Sequence, residues 1–280
     1  MIPKLKEFFV QEPAEAAAKP EARERIEELL RGLESGEIRA AQPAASADES
    51  WRVNAWVKRG ILAAFKLGVL TPMQNLGGQS GFDKDTLPLR QFTLEDGVRI
   101  VPGGTSIRRG CYISRGVTLM PPAYVNVGAY VDRGTMVDSH ALVGSCAQIG
   151  SGVHLSASAQ IGGVLEPIGA RPIVVEDGAF IGALCGLFEG VRVRTGALLA
   201  AGVILTRSTP IADLVSGGWI KAGADGVLTV PPNAVIVPGA RPARGEFAQA
   251  HGISLQTPLL IKFRDPQEDP ILLLEEALRA

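Results

Sequence analysis

Asp138, in GTMVDSH, and His140 two residues later are the side chains of this sequence best suited to move a proton. A carboxylate beside a reacting amine can accept its proton or orient it, and imidazole titrates near neutral pH. Strand alternation puts the two on one side. Each has a plainer reading. Aspartate often only turns the chain, Asp132 holds the same phase six residues earlier, and His140 can be an exposed or stacking ring. Cys111, Cys146 and Cys185 lack metal-ligand spacing and read as small buried core residues. Cys185 also has no neighbouring base in sequence to make it a nucleophile. Gly103-Gly104 could cradle a phosphate, but neither GxGxxG nor a Walker-type lysine accompanies it. His251, in the tail, belongs to no pattern.

The elements that must position these groups are set by a repeat. Every sixth residue from Ile107 to Ile161 is Ile, Leu or Val, ten positions in a row. With about a quarter of residues aliphatic, chance gives such a run on the order of one time in a million. The run slips at VLEPIGARP and resumes, shifted by two, at Val175, Ile181, Leu187, Val193, Leu199 and Leu205. A period of six leaves no continuous face on an α-helix. It suits short strands with one inward aliphatic side chain each, separated by corners. Gly110, Gly116, Gly128, Gly134 and Gly152 stand three residues before that side chain, where a corner needs relief. Three strands make a triangular coil of about 18 residues, and coils stack at the ordinary strand spacing of about 4.8 Å. The expected body is a prism roughly 25–30 Å long.

Before the repeats, EAAAKPEARERIEELLRGLESGEI carries Ile26, Leu29, Leu30 and Leu33 at helical spacing, with Gly36 as a stop. WRVNAWVKRGILAAFKLG puts Trp51, Val57, Ile61, Leu62 and Phe65 on one face of a second helix, and residues 70–97 read as loop. After the repeats the sequence predicts a hairpin excursion near 212–230, a last coil around Val235 and Val237, a short strand in LLIKFRD and a terminal helix in EDPILLLEEALRA. The expected organisation is a helical domain and linker over 1–97, the repeat body over 98–240 and an extension over 241–280. The tail should cover open hydrophobic rungs, as repeat proteins require. The net charge of −1 is set against nucleic-acid binding, which needs a basic stripe. With neither a leader's apolar core nor a spanning stretch, a soluble cytoplasmic protein without membrane contact is expected.

Longer motifs narrow the repeat to one family. GAYVDRGTMVDSHALVGSCAQIGSGVHLSASAQIGGVLEPIG, with LMPPAYVNVG upstream, WRVNAWVKRGILAAF near the start and ILLLEEALR at the end, resembles the tetrahydrodipicolinate N-succinyltransferases. The resemblance implies a left-handed parallel β-helix and a homotrimer with active sites between subunits. The hand comes from the resemblance alone, because general crossover rules favour the right-handed sense. It also implies an acyl-CoA-dependent N-acyltransferase of lysine biosynthesis with no tightly bound cofactor. Succinyl-CoA would be co-substrate, and the amine of L-2-amino-6-oxopimelate the acceptor. Arg99, in GVRIVP, matches an arginine that pairs with the acceptor carboxylate, a contact suited to a guanidinium fork; otherwise it is the solvent face of a strand. Asp138 matches the acidic residue beside the amine. His154 matches a groove-lining position, and Gly163, Ala201 and Gly202 are expected along the coenzyme A groove, unless they are merely small corner residues.

The chain also departs from the family pattern. FIGALCGLFEG stands where members usually read FIGARSEVVEG, so Leu184, Cys185 and Gly186 replace Arg, Ser and Glu. Glu189 matches a different family glutamate, and His140 stands where Trp is usual. The replacements imply a less polar wall with added space and hence a larger or less charged acceptor. Three readings follow: a succinyltransferase that tolerates the loss, with Asp138 or His140 as base; a paralogue with another acceptor, of the tabtoxin-biosynthesis kind; or an inactive β-helix scaffold.

Overall fold

The computed structural model describes residues 2–44, 51–74 and 80–265. All sixteen inward positions of the hexad are buried, from Ile107 and Ile113 to Leu199 and Leu205, in one continuous cluster. Most of the strands are two residues long, with the outward residue first and the inward aliphatic second. They stack in parallel register into three sheets that form the faces of a prism. The first face runs from Arg99–Ile100 through Thr118–Leu119, Met136–Val137, His154–Leu155, Phe180–Ile181 and Leu198–Leu199 to Ala234–Val237. The second carries Tyr124–Val125, Leu142–Val143, Gln160–Ile161 and Gly186–Leu187 among its strands; the third carries Tyr112–Ile113, Tyr130–Val131 and Gln148–Ile149. Gly110, Gly116, Gly128, Gly134 and Gly152 all have positive φ, which explains their place at corners. The slip is an insertion within one coil. Ile149 pairs with Val175 rather than with the residue one regular coil later, and the extra chain bulges out before the ladder resumes.

The N-terminal helices α1 (Ile2–Phe8), α2 (Pro13–Ala17), α3 (Ala22–Glu34) and α4 (Ala55–Leu67) share a second core, which reaches the prism at Val127 and Cys146. The expected first helix is split at Lys19-Pro20, because proline cannot donate within a helix. Trp51 lies outside α4, directly before the strand Arg52–Val53, which pairs with Ala41–Gln42. The expected loop after α4 instead contains an antiparallel hairpin, Leu70–Gln74 with Ser80–Lys84. Residues 75–79, like most of the polar linker and the whole of ILLLEEALR, lie outside the described residues. Before the last coil, Ile211–Asp213 and Gly218–Ile220 form the hairpin excursion; after it, Leu259–Phe263 lies antiparallel to Ala234–Val237. A short strand pair, Ala240–Pro242 with Ser254–Gln256, and a helix, Glu246–Ala250, were not expected. All three cysteines are free and buried.

Side chains from the repeat corners dock the helices. Arg109 holds Glu27 through both terminal nitrogens at 2.9 Å and Glu34 through Nε at 3.0 Å, while the Gly110 N–H also donates to Glu34 at 2.9 Å. From the other side, Arg39 stacks 3.6 Å over the Tyr130 ring and donates to Gln148 Oε1 at 2.9 Å. Lys58, wholly buried on α4, donates to the Ala170 carbonyl of the inserted bulge. Arg109→Met should cost about 2 kcal/mol, since it leaves partly buried Glu27 with only Arg31 and Glu34 with only the Gly110 N–H as partners. Hydrogen bonding to Arg109 holds Glu27 below the ordinary carboxylate range. A depressed carboxylate stabilises the fold above its unfolded pKa and loses that effect as pH falls through its folded pKa. The difference between wild type and variant should therefore shrink below about pH 4. Thermal melts from pH 3 to 7 check this, and a constant gap would contradict it.

Candidate active site

The corner between the first and second faces carries most of the sequence-predicted groups. Successive coils are bonded along it: His140 N–H to Pro122 O at 2.5 Å, Ser158 N–H to Ser139 O at 2.8 Å, Leu184 N–H to Ala157 O at 3.0 Å and Gly202 N–H to Ala183 O at 2.9 Å. Those four donors share one left-handed conformation, with φ of 61°, 60°, 59° and 79°. His140 is therefore a corner residue, not a strand residue. Alternation does not apply to it, and it projects exposed from the edge. Asp138 precedes the corner, half-buried. Its N–H donates to Leu155 O, and its Oδ1 accepts the Ser139 N–H at 2.7 Å. Among the described residues Oδ2 accepts no hydrogen bond, so one carboxylate edge is free to meet a ligand.

The geometry adds His154, one coil above Met136 on the first face. Its ring stacks on Phe180 with centroids 4.8 Å apart and planes 4° apart. Burial pushes its pKa down, and the charge of Asp138 opposes that shift. The imidazole thus sits within electrostatic reach of the carboxylate. The sequence placed His154 along the groove; its closeness to Asp138 follows only from the stacking of one coil on the next. A histidine whose pKa is depressed stabilises the fold fully above the ordinary imidazole range, and that contribution is lost as pH falls through it. His154→Phe, which preserves the stack, should flatten the stability profile between pH 5 and 7. Melts that fall with acid as steeply as the wild type's would disprove the assignment.

Other predicted residues are more dispersed. Arg99 is exposed on the first coil, paired with Thr118. It lies two coils, or about 10 Å along the axis, from the level of Asp138 and does not touch it. Ala201 and Gly202 share the Asp138 corner three coils further on. A Cβ on Gly202 would meet only Pro238, at 4.0 Å, so the edge there is open. Gly163 is on another corner, between the second and third faces. A Cβ there would stand 2.7 Å from Ser145 N, so packing explains this glycine. Gly103 has a similar cause, since its Cβ would fall 2.5 Å from Pro121. His251 stacks on Phe247 in the tail.

Leu184, Cys185 and Gly186 separate cleanly. Leu184 is 65% exposed at the corner. Cys185 points into the core, where burial pushes its thiol up to about 11 and Sγ donates to Ala200 O at 3.1 Å. That environment suppresses the thiolate a nucleophile requires. Gly186 faces outward on the second face, but a Cβ there would lie 2.9 Å from both Phe188 Cε2 and Ile204 Cδ1. The expected extra space is absent, because the Phe188 ring covers the glycine. The wall is less polar but not deeper.

Two family models match the chain. Residues 6–67 match the N-terminal domain of tetrahydrodipicolinate N-succinyltransferase, and residues 172–207 match the hexapeptide repeat of succinyl-transferase. Proteins named 2,3,4,5-tetrahydropyridine-2,6-dicarboxylate N-succinyltransferase are similar over nearly the full length. The one from Afipia carboxidovorans is 39% identical over 97% of this chain and 95% of its own. The one from an Azoarcus species is 43% identical over 94% of this chain and 92% of its own. The chain belongs to the tetrahydrodipicolinate N-succinyltransferase family. A third member, from Acinetobacter baylyi, is 41% identical over 92% of this chain and 90% of its own. The succinyl-transferase repeat model spans Leu184, Cys185 and Gly186, so the family architecture continues through the departure.

Proposed function

We propose that this protein transfers a succinyl group from succinyl-CoA to the amine of L-2-amino-6-oxopimelate, as a left-handed β-helical homotrimer of the cytoplasm. The reading is carried by identity near 40% to N-succinyltransferases along almost the whole chain. In the proposed reaction Arg99 pairs with an acceptor carboxylate and Asp138 Oδ2 takes a hydrogen bond from the acceptor amine. The amine nitrogen attacks the thioester carbonyl, a C–N bond forms, the C–S bond breaks and coenzyme A leaves as its thiol. Asp138 accepts the proton the nitrogen loses and passes it to the departing sulfur, with His154 beside it as a second acceptor; His140, on the same corner, is the alternative base. Ala201 and Gly202 line the open edge for the donor, and Gly163 borders the same second face. The separation of Arg99 from Asp138 within one chain supports a site completed by a neighbouring subunit.

The decisive test follows thiol release from succinyl-CoA with 2-aminopimelate as acceptor, alongside light scattering. Saturable release and a particle three times 29.5 kDa are expected. Coenzyme A esters at about 100 times their dissociation constant should add about 2.7 kcal/mol of stability. Neither release nor stabilisation would leave only a scaffold.

A further inference from the structure

We propose that the cavity between α1, the Ala41–Gln42/Arg52–Val53 strand pair and the start of α4 binds a small polyanion, phosphate-bearing or polycarboxylate, remote from the acyl-transfer corner. The cavity is about 590 Å³, within the range of metabolite sites. Lys6, Arg39, Arg52 and Arg59 line it, against a single acid, Glu37. Among the described residues, Lys6, Arg52 and Arg59 form no ion pair. Arg39 is engaged by Gln148 and by the faces of Tyr130 and Trp51, not by a carboxylate. The Nε of Arg59 is buried without any acceptor. A guanidinium N–H shut off from water with no partner is costly, and an anion would satisfy it.

The helix beside it points the same way. α4 is 13 residues long, has no acid in its first turn, and its N-cap residue Asn54 does not cap it. The Asn54 side chain donates instead to Arg39 O at 2.7 Å and Gln42 Oε1 at 3.1 Å. Asn54, Ala55 and Trp56 line the cavity, so the positive end of an uncapped helix opens on a ring of cations. Uncapped N–H groups and aligned peptide dipoles favour negative charge there. Apolar Ile2, Val10 and Val53 complete the wall and suit a carbon-bearing ligand. The site adjoins the third face through Arg39, whereas Asp138 stands between the first and second.

Calorimetric titration of the full-length protein with pyrophosphate, and separately with citrate, tests this. Saturating coenzyme A is included to fill the donor groove. At least one anion should bind saturably with a dissociation constant below about 1 mM, and which one binds identifies phosphate or carboxylate as the preferred group. R52Q/R59Q should weaken binding by at least about 10-fold while melting temperature and thiol release stay unchanged. Should the double variant fail to fold, exposed Arg52 alone, as R52Q, should weaken binding about 3-fold. The proposal is overturned if neither anion binds at about 10 mM, if the variants bind as wild type does, or if coenzyme A abolishes the signal.

Discussion

Asp138→Asn should lower kcat for succinyl transfer by about 100-fold to 10,000-fold, the span lost with a positioned general base. The melting temperature should change little. The two effects separate because asparagine keeps the structural half of the residue. Its amide oxygen can still accept the Ser139 N–H at the position Oδ1 occupies, 2.7 Å away, and the backbone bond to Leu155 O is untouched. What changes is the second edge. Oδ2, which no described residue engages, becomes an amide NH₂ that cannot take a proton and would repel an approaching N–H donor. If the residue only turned the corner, the variant would turn over like wild type, and Asp138 would lose its assignment. His140→Ala made alongside discriminates the alternative base. An exposed imidazole at the corner edge should contribute less than 10-fold if Asp138 does the work.

The repeat was legible because its cause is local. Each inward side chain, such as Val137 or Leu155, is dictated by strand alternation and by a corner within four residues of it, so spacing alone reveals the prism. The same holds for Gly110 or Gly134, whose positive φ any substitution would strain. What escaped the reading depends on chain segments far apart. Arg39 sits in a stretch without periodicity, yet it meets Gln148, 109 residues away, and stacks on Tyr130. The hairpin Leu70–Gln74/Ser80–Lys84 has Pro72 and Gly81 in its strands, which hide it from any alternation test. At the site, Asp138 carried a motif, but its partnership with His154 exists only because one coil lies on the next. The Gly186 departure was visible as a change of letters. Its consequence was not, since Phe188 folds back over the glycine and fills what a list of residues would leave open.

Leu155→Ala should cost about 2–5 kcal/mol, whereas Met136→Ala, one coil below and facing outward, should cost less than about 1 kcal/mol. Leu155 is wholly buried in the prism, between Val137 below and Ile181 above in the same ladder. Removing its isobutyl group takes away contacts on both sides. Neither neighbour can move in, because each is fixed by parallel hydrogen bonds to the coils beyond it, so the cavity stays and its cost adds to the lost transfer energy. Met136 is half-buried on the outer surface, where water can fill what is lost. The contrast therefore reads the inside and outside of the coil directly. Because the ladder also sets the level of Asp138 and His154, Leu155→Ala should lower kcat as well as stability, through loss of register. An outward variant that destabilises as much as the inward one would show that the hexad does not point to a common interior, and the corner proposed to carry the chemistry would then have no scaffold to hold it.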